Sequence, residues 1–392
     1  MQQNNFSFTT LGEILMKKSL LALAVLGAFA AGTVQAQTNV SIGGVIRANI
    51  KSYKISSTAR QTSNELRIDD DFNSRFWLTG TEDLGGGLKA LFYVENRFNT
   101  DVGTAQGATG NGLGNGDTFV GLRGDFGQVT LGKHTWMSTQ GLTTELITGT
   151  GTVASIPTSM LATFNVFDQT GAGYLDTTRR LNSITYRTPN ISGFSGTVGI
   201  AAAGGLSNEG VVTAGNPNYN DGKEYFLQGA YANGPLYLNL AYWDAEVEGG
   251  TGADVQQLRF SGSYKFAGFK VGLGVDRAEV QPVAAGANFG GKISRTAWSI
   301  PLSYAIGNGT VMASFTKAGD RTGVTDSGAK MYTVGYDQAL SKRTNVGVFY
   351  SRLDNDRNGA YQPFLAGTTF TGTAPVAGET ASTFGVGIHH TF

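Results

Sequence analysis

The sequence predicts an all-β fold, a sixteen-stranded antiparallel transmembrane barrel with short turns at one end and long loops at the other. Three observations carry this prediction. The chain ends Phe384-Gly-Val-Gly-Ile-His-His-Thr-Phe392, with Phe384, Val386, Ile388, His390 and Phe392 at every second position. A strand places these five on one face and leaves Gly385, Gly387, His389 and Thr391 on the other. The 57 glycines and 8 prolines suit strands, turns and loops better than helices. Beyond the N-terminal region, no segment approaches the run of roughly 18–20 apolar residues that a membrane helix requires. Alternating segments and an apolar outer face satisfy a membrane only when the sheet closes.

The N-terminus reads as an export signal. Lys17 and Lys18 form a basic start, Leu20 to Ala31 an apolar stretch, and Val34-Gln35-Ala36 a small-x-small cleavage site. Residues 1–15 are expected to be an upstream extension, 16–36 the signal peptide and 37–392 the mature barrel. Of 29 basic and 29 acidic residues, Lys17, Lys18 and Glu13 lie in the removed segment, so the mature chain is close to neutral. That balance offers no argument for nucleic acid as a partner. With 0 cysteines, neither a disulfide nor a thiolate metal site can form.

Seven compact turns centre on residues 83–86, 125–127, 189–193, 233–235, 266–268, 306–309 and 339–342. They hold turn formers or separate two alternating runs. Eight longer polar segments lie near 52–72, 99–115, 135–179, 204–221, 246–255, 280–292, 319–329 and 354–381. Fifteen connections require sixteen strands, with both chain ends on the short-turn side. A propeller or sandwich would not direct the long loops to one end so consistently.

Alternation assigns the faces. In the first strand Val40, Ile42, Ile46 and Ile50 are expected outside, with Ser41, Arg47 and Asn49 inside. In the second, Phe76 and Leu78 point out while Arg75, Trp77 and Thr79 point in. The third puts Ala90, Phe92 and Val94 outside and Lys89, Tyr93, Glu95 and Arg97 inside. Tyr332, Val334 and Tyr336 repeat the outward pattern later in the chain. Inward charge implies a wet lumen, since a packed core would oppose it by several kcal/mol. Tyr186, Tyr264 and Tyr336 suit interfacial girdles, and Lys133 shares outward parity with Val129 and Leu131.

Several stretches bear on family. They are Asn73-Ser-Arg-Phe-Trp-Leu-Thr-Gly-Thr-Glu-Asp-Leu-Gly-Gly-Gly-Leu-Lys-Ala90, Val120-Gly-Leu-Arg-Gly-Asp-Phe-Gly-Gln-Val-Thr-Leu-Gly-Lys133, Tyr186-Arg-Thr-Pro-Asn-Ile-Ser-Gly-Phe194, Tyr231-Ala-Asn-Gly-Pro-Leu236 and Leu340-Ser-Lys-Arg-Thr344. With the terminal strand, their order and spacing resemble the general porins of Gram-negative bacteria, of beta-proteobacterial type. The resemblance implies a homotrimer of barrels, each with its third loop, about 135–179, folded into the pore. It also implies an outer-membrane location, lipid and lipopolysaccharide as surroundings, and recognition by the barrel-assembly machinery of the ending Ile388, His390 and Phe392. The function implied is passive diffusion of small hydrophilic solutes and ions; the alternatives are a barrel serving as adhesin or antigen, or a barrel enzyme.

Within this family an arginine cluster on the wall faces the third loop. Arg75 matches that pattern and Glu95 a wall acid; Arg47, Arg97, Arg179 and Lys89 are further candidates. The loop supplies Glu145 and Asp168, with Asp176 near its end. Gly116 stands where the family commonly has an arginine, and an arginine within the third loop is missing around Ala162 to Asn165. The resulting expectation is weak anion preference. No catalytic, metal or cofactor site is expected. His389 and His390 face opposite sides of a strand. The glycine-rich run 107–117 lacks a following Lys-Ser/Thr and enters a strand. The Asp69-Asp70-Asp71 run is expected to be a solvated loop end.

Overall fold

The computed structural model describes residues 38–56, 63–69, 74–101, 113–137, 179–202, 223–246, 253–282, 292–361 and 376–392. The strands are β1 (Thr38–Ser56), β2 (Ser63–Asp69), β3 (Ser74–Gly85), β4 (Leu88–Phe98), β5 (Thr118–Gly124) and β6 (Gly127–Thr135). They continue as β7 (Arg179–Arg187), β8 (Phe194–Ala202), β9 (Lys223–Asn233), β10 (Leu236–Glu246), β11 (Ala253–Phe266) and β12 (Phe269–Pro282). The last five are β13 (Ile293–Ile306), β14 (Gly309–Ala318), β15 (Ala329–Ala339), β16 (Thr344–Asn355) and β17 (Thr380–Thr391). All pairings are antiparallel, and β1 pairs with β17 to close the sheet.

Seventeen strands make sixteen barrel staves because β2 and β3 share one edge of β1. Val45 opposes Arg75 in β3, whereas Asn49 opposes Asp69 in β2. Four residues of β1 thus face six of its partner, a two-residue irregularity in the second stave. This corrects the expected first loop at 52–72. Its ends belong to strands, β1 reaching Ser56 and β2 taking Ser63–Asp69. The local pattern Glu65-Leu66-Arg67-Ile68 is a period-2 alternation, with Leu66 and Ile68 strongly exposed on the outer face.

All seven short turns join neighbouring strands at the places the sequence indicates. At one of them Ala267 and Gly268 have φ of 45° and 84°. Two successive positive φ values match the twist of the flanking strands, which explains so tight a connection between β11 and β12. The start of β1 and the end of β17 lie at this end of the barrel, and Gly44 and Phe392 exchange two backbone hydrogen bonds of 3.1 Å.

Val40, Ile42, Ile46 and Ile50 of β1 are exposed outward, as are Phe384, Val386, Ile388 and Phe392 of the terminal strand. Aromatic rings form a band near the short turns. Phe194 meets Tyr231 at 4.4 Å, and Tyr264, Phe266, Phe269 and Tyr304 follow one another at 6.3, 5.6 and 4.4 Å. The Tyr186 hydroxyl donates to the Phe126 carbonyl at 2.7 Å. Amphipathic rings at one level suit a membrane interface. Inward positions carry paired charge, such as Arg259 Nε to Asp276 Oδ2 at 2.9 Å. The inner face is not polar throughout. Small and apolar side chains, among them Ala241, Ala245, Val255, Ala278, Val280 and Ile293, line it toward the long-loop end.

Candidate functional site: a charged inner wall

The first four strands bring a dense set of charges to one part of the inner wall. Arg75 opposes Arg97 across the β3–β4 ladder, and Trp77 opposes Glu95. Directly opposed residues share a face, so Arg75, Arg97 and Glu95 all look inward. Glu95 is nearly buried and forms a very short ion pair with Arg97 Nε, while Arg75 Nε stands 3.9 Å from its other oxygen. The Tyr93 hydroxyl donates to that same oxygen at 3.0 Å. Asn115 clamps the Arg97 backbone, accepting its N–H at 2.6 Å and donating to its carbonyl at 2.8 Å. One carboxylate thus orients two guanidinium groups from adjacent strands.

Gly116 explains the missing arginine. It donates its N–H to the Glu95 carbonyl at 3.0 Å. A Cβ at this position would lie 2.7 Å from Glu95 Cγ and 2.8 Å from its Cβ. The Glu95 side chain occupies the space that a larger residue at 116 would need. Asp117 opposes Glu95 across the ladder, accepting its N–H at 2.9 Å, and takes the Thr135 hydroxyl at 2.5 Å. Beside them, Tyr93 stacks on Phe119 at 5.4 Å and Phe119 on His134 at 5.0 Å. The His134 ring nitrogens reach Ser183 Oγ at 2.7 Å and Thr130 Oγ1 at 2.8 Å, fixing the ring.

Above Arg75 the wall is also basic. Arg47 is buried on the inner face of β1, with its N–H donating to Ser74 Oγ at 3.0 Å. At successive steps of two along β1 come Asn49, Lys51 and Tyr53, all buried on that face. Lys51 Nζ lies 5.5 Å from the Tyr53 ring centre. Arg67 opposes Lys51 and Glu65 opposes Tyr53, and these two residues of β2 pair at 2.6 Å. Lys51, Glu65, Arg67, Asn115 and Asp117 are wall residues that sequence reasoning missed. Placing 52–72 in a loop hid Glu65 and Arg67, although their alternation with Leu66 and Ile68 was the available signal.

The other candidates fall elsewhere. Lys89 faces the same side of β4 as Glu95 but lies six residues down the strand, about 20 Å away near the short turns. Arg179 opposes Thr135 at the start of β7; only its backbone is described. Glu145, Asp168 and Asp176 lie outside the described residues, as does the third loop between Met137 and Arg179. In the terminal strand His390 and Ile388 point outward, and His390 Nδ1 meets Thr344 Oγ1 at 2.9 Å. Phe392 covers Gly44, where a Cβ would collide with the ring. His389 instead faces inward beside Arg47.

Comparison with known proteins agrees with this architecture. The chain is 31% identical over 383 residues to outer membrane porin protein 32 of Delftia acidovorans, covering 96% of this chain and 100% of that one. It is 28% identical over 341 residues to the major outer membrane protein P.IB of Neisseria lactamica, covering 84% and 91%. Among solved structures, the anion-selective porin from Comamonas acidovorans matches with a TM-score of 0.69 and 27% identity, covering 91% of this chain and 100% of that one. The family profile of the Gram-negative porins matches residues 22–358, and the chain therefore belongs to that family as an outer-membrane porin.

Proposed function

We propose that the channel passes small hydrophilic solutes and ions by passive diffusion, with a weak preference for anions. One observation carries this reading. At the level of Glu95 and toward the long loops, the inner wall of β1 to β4 gathers Arg47, Lys51, Arg67, Arg75 and Arg97 against Glu65, Glu95 and neighbouring Asp117 among the described side chains. A positive excess on a confined, partly dehydrated wall lowers the energy of a passing anion and raises that of a cation. The printed description of the Comamonas relative as anion-selective points the same way.

In this reading Arg75, Arg97 and Arg47 are the pore-facing cations, with Glu95 holding the first two in place. Arg179, Lys89, Glu145 and Asp168 are further pore residues proposed from the family pattern. The third loop, 135–179, narrows the lumen against this wall, since sixteen staves alone enclose a wide aqueous channel. The protein works as a homotrimer, in contact with outer-membrane lipid and lipopolysaccharide, after delivery by the barrel-assembly machinery. It performs no catalysis and needs no cofactor. Single-channel recording in planar bilayers across a potassium chloride gradient tests the proposal. A reversal potential of the sign set by chloride is expected; a cation-set sign would overturn the anion preference.

A further inference from the structure

The outward face of β12 to β16 carries charge where a membrane-facing wall should turn polar, and it does so unevenly. Counting from the short-turn end of each strand, the ninth residue is Arg277 in β12, Trp298 in β13, Lys317 in β14 and Arg352 in β16, and the tenth is Lys330 in β15. About nine to eleven residues of a tilted strand cross the apolar layer, so this row stands at the long-loop interface. The positions below it are apolar and exposed, among them Ile300, Val311, Val334 and Tyr350.

Lys317 and Lys330 are direct partners in the β14–β15 ladder. Their Cβ atoms are therefore about 5 Å apart on one face, an arrangement in which like charges repel. Among the described residues neither has an acidic partner. The nearest carboxylate in register, Asp354 opposite Lys330, is held by Arg352 at 2.9 and 3.1 Å and by the Thr380 hydroxyl at 3.0 Å. Trp298 stands beside Lys317 in the ladder, and Phe315 and Tyr332 lie directly beneath the lysines: Trp298 meets Phe315 at 5.2 Å, and Phe315 meets Tyr332 at 5.0 Å. Two unneutralised ammonium groups above apolar rings complement an amphiphile with an anionic head and hydrocarbon tails.

We propose that this face binds a phosphate-bearing lipid of the outer leaflet, its phosphate between Lys317 and Lys330 and its acyl chains over Trp298, Phe315 and Tyr332. The phosphate relieves the lysine repulsion through charge-assisted hydrogen bonds. This inference rests on the outer-membrane reading, and the channel recordings above test that reading separately.

The test is native mass spectrometry of the full mature protein titrated with a bis-phosphorylated lipid A, and separately with zwitterionic phosphatidylethanolamine. Lipid A is expected to bind the wild type in preference to phosphatidylethanolamine. In the double variant Lys317→Gln, Lys330→Gln binding should weaken roughly 30-fold, the combined effect of two lysines near an anionic surface. Single-channel conductance of the variant should be unchanged, because both side chains lie outside the pore. Lys223→Gln, at an exposed lysine five strands away, should bind as the wild type does. Equal lipid A binding by the double variant would overturn the site, as would equal weakening in Lys223→Gln. Displacement of the lipid by millimolar inorganic phosphate would exclude a lipid-specific site. A changed oligomeric mass in the double variant would instead make this face a subunit contact and overturn the proposal.

Discussion

Replacing Arg75 by alanine removes one positive charge from the inner wall while leaving its geometry nearly intact. Glu95 keeps its closer partner, Arg97, and its hydrogen bond from Tyr93, so the carboxylate stays ionised and in place. The change in wall charge is therefore one unit. An ion passing about 5 Å from the lost guanidinium would interact with it by about 0.8 kcal/mol in unscreened water. Screening over about 10 Å at 0.1 M salt leaves about 0.5 kcal/mol, and over about 3 Å at 1 M about 0.2 kcal/mol. Because an anion loses this energy and a cation gains it, the anion-to-cation permeability ratio should fall roughly fivefold at 0.1 M and less than about twofold at 1 M. Conductance should rise, since the lost side chain projects into the lumen. Reversal potentials of wild type and Arg75→Ala, recorded in planar bilayers at both ionic strengths, measure the shift. An unchanged reversal potential at 0.1 M would show that Arg75 does not face the ion path, and the electrostatic account of the wall would fail.

Three further outcomes are expected. Gly116→Ala should push Glu95 aside and weaken its hold on Arg97, costing roughly 1–3 kcal/mol by overpacking; an unaltered thermal transition together with unaltered selectivity would refute that. Deleting Phe392 should uncover Gly44, remove the two backbone hydrogen bonds that finish the β1–β17 seam, and reduce assembled protein without changing the pore; normal yield of folded barrel from the truncated chain would count against it. Export should end in cleavage before Gln37, so the intact mass of outer-membrane material should correspond to residues 37–392; retention of residues 16–36 would contradict the signal assignment.

Much of the fold could be read directly from the chain because the side-chain period of a strand is a local property. Residue i and residue i+2 share a face whatever the partner strand, so Val40, Ile42, Ile46 and Ile50 could be placed outside before any pairing was known. Turn residues act locally too: six of the seven short connections hold or adjoin glycine, asparagine or proline, and the seventh, between Ala339 and Thr344, separates two alternating runs. The inward direction of Arg47, Arg75, Glu95 and Arg97 followed from the same parity. What parity cannot supply is height, which is why Lys89 shares a face with Glu95 yet sits near the opposite end of the wall.

Register and closure decided the rest. That Lys51 faces Arg67, and Tyr53 faces Glu65, depends on a two-residue irregularity between β2 and β3, a relation between strands that neither contains alone. That Gly116 must be glycine depends on where the Glu95 side chain lies in a neighbouring segment. The pairing of Lys317 with Lys330 likewise exists only once β14 and β15 are aligned. Composition and alternation therefore determined the kind of barrel and the face of each residue, because both are written in neighbouring positions. Which charges meet was set by the tertiary structure, because ladder register couples residues whose separation in the chain gives no hint of their contact.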